Sequence, residues 1–454
     1  MVGGFSRRNA LRAGAGAAGL TGAGFGLSRM GWFNQPPSWE SATLTRPFAT
    51  TTDSPPYDQT SAVFAVHLSL ATGQPVVLRA RSPEPVDVRI VKVGELQPVH
   101  QQTNIDVRTD ATEPTQWPVL LQMQQQWASG LYLAVMRPSS GSGQLRFAPF
   151  VVRPASPPAG IVVQVPFTTY HAYNGWGGAS LYRFNSPNGV ARELPMARPF
   201  DTFQGAGFAF YGDYQFAQWA AQQRYDVSYI TSYDMHHDPN ILERASLFVS
   251  VFHDEYWSTP MRRGFEAFVD GGGNAAFFAA NSIFWRIRMS DTTMTCHKAE
   301  TQQADDDPDI TAQWRSKLIR DPEDGVLGSR YDSYVFPYGR GFDWTVQSAD
   351  HWIYEGTKLA NGDRMKGLVG YEWDNAPNPT RQGLTLLSHT SIDIDPNKAH
   401  RHEATVLEQP GKGSVFNAGT TYWPRFLLGD KRFRRDPRVE QMTHNVLRRW
   451  GPAR

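Results

Sequence analysis

Four polar groups sit where apolar runs end. His253, Asp254 and Glu255 follow the β-forming run 247–252, and Asn281 follows the run 274–280. Side chains two apart on an extended chain share a face, so His253 and Glu255 can act on one cation or one proton. Glu372 lies between aromatics in GYEWD, an environment that raises a carboxyl pKa toward that of a general base. Tyr170 and Tyr173 flank a glycine-rich turn, YHAYNGWGG. Each feature has a plainer reading: a local ion pair for His253 and Glu255, a salt bridge to an arginine for Glu372, a helix cap for Asn281, packed aromatics for the tyrosines.

The elements that would position these groups follow from the period of the apolar residues. From residue 58 to 155, short β-rich runs (AVFAVHLSL, PVVLRA, VDVRIVKV, PVLLQMQ, GLYLAVMR, LRFAPFVVR) are separated by turn signals. That spacing predicts an antiparallel β-sandwich, immunoglobulin-like in size. From residue 160 to 454 strands alternate with helices. Strands are predicted at 161–165, 227–231, 247–252 and 274–280, and helices at 216–225, 239–245, 259–273 and over the C-terminal VEQMTHNVLRRW. The fold class is therefore α/β, a doubly wound, mostly parallel sheet after the sandwich. Ligands of such sheets bind at the carboxyl ends of the strands, where His253, Glu255 and Asn281 fall.

Composition narrows the class. Across 454 residues, 44 Lys and Arg against 43 Asp and Glu leave no basic surplus to hold a nucleic acid. The single cysteine, Cys296, excludes an intrachain disulfide and has no metal-knuckle spacing. At the N-terminus, Ser6-Arg7-Arg8-Asn9-Ala10-Leu11-Arg12 matches a twin-arginine signal, and a Gly/Ala-rich run follows it. Residues 1–30 are expected to direct export to the periplasm or the exterior, with 31–57 as a Pro/Ser/Thr-rich linker. Other polar clusters carry less. His236-His237 reads as capping or surface, Asp305-Asp306-Asp307 as a solvated acidic run, and Cys296 lacks a nucleophile's setting.

TTYHAYNGWGGASLYRFNS, RYDVSYITSYDMHHDP, SVFHDEYWS, FFAANSIFWRIR, LVGYEWD and SVFNAGTTYW together resemble, in order and spacing, the large subunit of N,N-dimethylformamidase and the family sharing its C-terminal domain. The resemblance implies a mononuclear Fe(III) held by two tyrosines and a glutamate, acting as Lewis acid and activating water for hydrolysis of an amide. Two phenolates and a carboxylate would balance the three charges of ferric iron. Carried over by motif, the ligands are Tyr132, Tyr173 (or Tyr170 in its place) and Glu255, with His253, Asn281 and Glu372 beside the metal. Taken alone, Tyr132 reads as a core tyrosine of the sandwich, and its use as a ligand requires an interdomain site. The expected partner is a small amide or related polar substrate, with room for a small partner subunit or a homo-oligomer. The alternative is a non-catalytic exported protein binding a glycan or small ligand.

Overall fold

The computed structural model describes residues 59–452 apart from 96 and 431. The export segment and the linker lie outside the described residues. The N-terminal part holds two small sheets. One is three-stranded and antiparallel, Ala62–Ala65, Val76–Arg81 and Val119–Met123. The other has five strands in the order Ser69–Ala71, Arg146–Arg153, Gly130–Pro138, Val86–Lys92, His100–Ile105. It is not wholly antiparallel, because Ser69–Ala71 runs parallel to Arg146–Arg153. The strand His100–Ile105 escaped the sequence reading because HQQTNI has no apolar face and is largely exposed.

A seven-stranded mixed sheet follows, in the order Val227–Thr231, Gly160–Val165, Ala245–His253, Asn274–Ala280, Val415–Asn417, Thr405–Leu407, Leu384–Leu386. The first five are parallel and the last two antiparallel. Alternate residues of the central strands enter separate cores. Leu247, Val249 and Val251 join the core that includes helix Asp213–Gln222 and the C-terminal helix Pro437–Trp450. Phe248 joins Met261, Phe265 and Val269 of helix Thr259–Asp270 on the other face. Burial on both faces explains why these strands read as continuous apolar runs.

Helix starts follow local chemistry. Thr231 and Asp234 form a capping box that opens the helix Ser232–His237, and Ser258 caps Thr259–Asp270. The helix expected at 239–245 is absent. Its residues form turns, since Pro239 and Asn240 favour a turn and the capping box starts the helix earlier. The two parts share a core. Phe147 meets Phe210 edge to face at 5.3 Å, and Asp234 accepts from Ser69 Oγ at 2.6 Å and pairs with Arg153 at 3.0 Å.

Candidate active site

The chain steps from Gly160–Val165 outward to Val227–Thr231, then crosses back to Ala245–His253 on the other side of the first strand. The two strands that follow Gly160–Val165 in the sheet therefore flank it on opposite sides, an arrangement whose carboxyl ends commonly carry ligands. Helix Phe167–Tyr173 leaves the first of these strands and delivers Tyr173, while Glu255 leaves the second. The Glu255 amide donates to Thr169 Oγ1 at 2.9 Å, which ties the two strand ends together. Ala280 pairs with His253 on the next strand, so Asn281 starts level with Asp254.

Glu255 is the hub. Tyr173 OH donates to its Oε2 at 2.8 Å, and Tyr182 OH lies 2.9 and 3.1 Å from its two oxygens. Tyr256 OH donates to Tyr182 OH at 2.6 Å. His253 Nε2 stands 3.3 Å from both Glu255 Oε2 and the Tyr173 hydroxyl. On its other side, His253 Nδ1 is 3.6 Å from Glu372 Oε2, which also accepts from Asn281 Nδ2 at 2.9 Å. All seven of these side chains belong to buried residues. The structure therefore brings together Tyr173, His253, Glu255, Asn281 and Glu372, and adds Tyr182.

Tyr132 is not among them. It lies in the strand Gly130–Pro138, stacked between Trp127 and Phe150, and its hydroxyl donates to the Ala128 carbonyl at 2.8 Å. The family resemblance suggested it as a ligand, but its ring is spent on the core of the N-terminal sheets. Tyr170 is also elsewhere, donating to Asp213 Oδ2 at 2.6 Å. Asn281 caps no helix, since the strand Trp285–Met289 comes next.

Tyr182 has no periodic relation to Tyr173. It is brought back by the turn containing Gly177 (φ +78°) and Gly178 (φ +84°), a backbone that only glycine adopts freely twice in succession. Leu181 N then donates to Ala172 O at 3.0 Å, and the two phenol rings stack with centroids 4.2 Å apart. The available signal was the glycine pair between two tyrosines in YNGWGGASLY.

Backbone strain marks the same place. Phe252 (φ +63°) and Asn281 (φ +53°) hold left-handed conformations at the ends of neighbouring strands, a conformation costly for Phe and more easily borne by Asn. Electrostatics concentrate there too. Burial, reinforced by the charge of Glu255, pushes the Tyr173 and Tyr182 hydroxyls well above the ordinary phenol range. Burial works against a charge on Glu255, yet His253, Lys298 and Tyr173 outweigh it and hold Glu255 below the usual range. Burial raises Glu372, the neighbouring Glu255 adding to it and His253 opposing. Burial also opposes a charged His253, but Glu372 and Glu255 prevail and raise it to about 9.

Among the described residues no group of three or more His, Cys, Asp or Glu side chains is placed to hold a metal ion. The donors that do converge are of another kind, two phenols on one carboxylate. Both phenol O–H groups point at the Glu255 oxygens, and a cation held by the three side chains could take the place of their protons. A narrow cleft opens onto these groups and is walled by Phe284, Trp285, Tyr331 and Tyr334, with Lys298 at its side. The remaining polar clusters are structural. His236 Nδ1 bonds Ser258 Oγ, Asp305 is locked by Arg288 and Thr311, and burial pushes the Cys296 thiol up to about 12.

Residues 87–434 match the model of the family described as N,N-dimethylformamidase beta subunit-like, C-terminal. The chain belongs to that family. The match begins inside the N-terminal sheets, so the family's common region spans both parts of the molecule. Membership supports an amidohydrolase-type function in general. No curated protein gives a significant match. Among solved structures, a Paenibacillus sp. cycloisomaltooligosaccharide glucanotransferase complexed with cycloisomaltoheptaose is 11% identical, with a TM-score of 0.15. The alignment covers 38% of this chain and spans 27% of that one, and no common fold follows from it.

Proposed function

We propose that the protein hydrolyses a non-peptide C–N bond, an amide, using one ferric ion held by Tyr173, Tyr182 and Glu255 at the switch point of a doubly wound sheet. The observation that carries this reading is the convergence of two buried phenols on one buried carboxylate, beside a second carboxylate and a histidine. The donor set fits the metal: two phenolates and one carboxylate carry the charge that ferric iron requires, and all three donors are hard oxygens. Bound there, the ion supplies Lewis acidity toward a carbonyl and toward water.

The protein's own groups do the rest. Glu372, raised by burial, accepts the proton of the attacking water at Oε2 and returns it to the leaving amine. His253, between the two carboxylates, attracts both and favours the ionised, proton-accepting form of Glu372. Asn281 fixes Glu372 through Nδ2, and its buried Oδ1, which has no hydrogen-bond partner, is free to accept a substrate or water proton. The aromatic walls exclude bulk water and strengthen each of these interactions.

Glu372→Gln tests the assignment. Iron content should be unchanged, while kcat for a hydrolysed amide should fall roughly 10²–10⁴-fold, the usual contribution of a positioned acid–base group. Full turnover in this variant would remove Glu372 from the reaction.

A further inference from the structure

Lys298 has no role in the mechanism above. Its Nζ is buried at the side of the cavity with no hydrogen-bond partner. Three rings surround it: Tyr182, whose centroid is 3.5 Å away, Trp285 at 5.0 Å and Tyr256 at 5.5 Å. The rings offer faces to the cation but accept few of its three N–H donors. Its backbone is held at φ +52°, an uncommon conformation for lysine. A buried ammonium without an acceptor is costly, and such a group usually waits for one.

The charge of Glu255 does not meet this need once iron is bound, because two phenolates and that carboxylate balance the ion. The other carboxylate lining the cavity, Glu372, is held by Asn281 and faces His253, so neither carboxylate is left to pair with Lys298. A second cavity shares the Phe284 and Tyr331 wall and is lined by Arg330 and Lys398 together with Asp332. Arg330 is shared with Asp324 at 3.3 Å, whereas Lys398 forms no ion pair among the described residues.

We infer that the substrate is an amide bearing a carboxylate, and that Lys298 receives this carboxylate while the amide faces Glu372 and Asn281. This inference rests on the hydrolase reading and narrows its substrate class. Charge-assisted hydrogen bonds in a dry site are strong, so the lysine would select acidic amides over neutral ones of equal size.

The test is calorimetric binding to the iron-loaded and iron-free protein, with amine release followed in parallel. The probes are N-acetylglycine, its neutral counterpart N-acetylglycinamide, and succinamic acid, which carries the acid on the acyl side. N-acetylglycine or succinamic acid should bind the iron-loaded protein at least about tenfold more tightly than the neutral amide, the worth of one charged hydrogen bond. Lys298→Met should erase that difference, and Lys298→Arg should restore part of it. Equal binding of acidic and neutral amides by the wild type overturns the inference without needing any variant, as does a preference that survives in Lys298→Met. Selective binding without amine release would keep the carboxylate site at Lys298 and sink the hydrolase reading. Hydrolysis of the neutral amide alone would do the reverse.

Discussion

Glu255 accepts hydrogen bonds from two phenols because it is the group held ionised in a buried site where Tyr173 and Tyr182 are pushed far above their ordinary range. A cation bound to these three oxygens must displace both protons, so its affinity depends on whatever stabilises the phenolates. Tyr256, which donates to Tyr182 OH at 2.6 Å, is such a group. Tyr256→Phe is expected to weaken iron binding about 10–100-fold, as removal of a ligand's supporting hydrogen bond does. Titration of the apoprotein with iron would measure it, and an unchanged affinity would contradict the role given to Tyr256. At this scale the sequence was partly legible. His253, Glu255, Asn281 and Glu372 were readable because each sits at a strand end or among aromatics. Tyr182 was not, since a loop folded by two glycines leaves no period to follow.

Among the elements, the central parallel strands announced themselves, since burial on both faces makes the unbroken apolar run at 275–280. The C-terminal strands were harder to read. Thr405–Leu407 and Val415–Asn417 are three residues long, too short to show alternation. They are anchored by side chains instead. His402 lies just before Thr405–Leu407, with Nδ1 2.9 Å from Ser388 Oγ and Nε2 3.0 Å from the Ala418 carbonyl. Burial lowers its pKa to about 4, against 6.5 for the free side chain. A depressed pKa means that its contribution to stability is fully present above about pH 6.5 and is lost as pH falls toward 4. The wild type should therefore melt above His402→Gln at pH 7.5, and the gap should narrow between pH 6.5 and 4. A gap constant across that range would show that His402 is not buried in its neutral form.

At the scale of the whole molecule, the N-terminal sheets support the site without lending it a ligand. Trp117 packs edge to face on Trp176 with centroids 5.8 Å apart, which braces the loop after Tyr173. Asp234 caps its own helix and holds Ser69 and Arg153 across the junction. Asp234→Ala removes a cap and a partly buried ion pair together, and should cost about 2–4 kcal/mol in urea unfolding. A loss below about 0.5 kcal/mol would show that the junction does not depend on this residue. Period and turn signals were enough to separate sheets from helices along the chain. The joint between the two parts was not readable, because it rests on single contacts between distant residues such as Phe147 and Phe210.

The central claim is that Tyr173, Tyr182 and Glu255 together hold ferric iron. It is tested most directly by iron content and the visible spectrum of the purified protein beside its Tyr182→Phe and Tyr132→Phe variants. The wild type and Tyr132→Phe should carry near-stoichiometric iron and a tyrosinate-to-iron charge-transfer band, with Tyr132→Phe losing only about 1 kcal/mol of stability. Tyr182→Phe should lose the band and most of the metal. A colourless wild type that takes up no iron, or a band that survives in Tyr182→Phe and vanishes in Tyr132→Phe, would contradict the account.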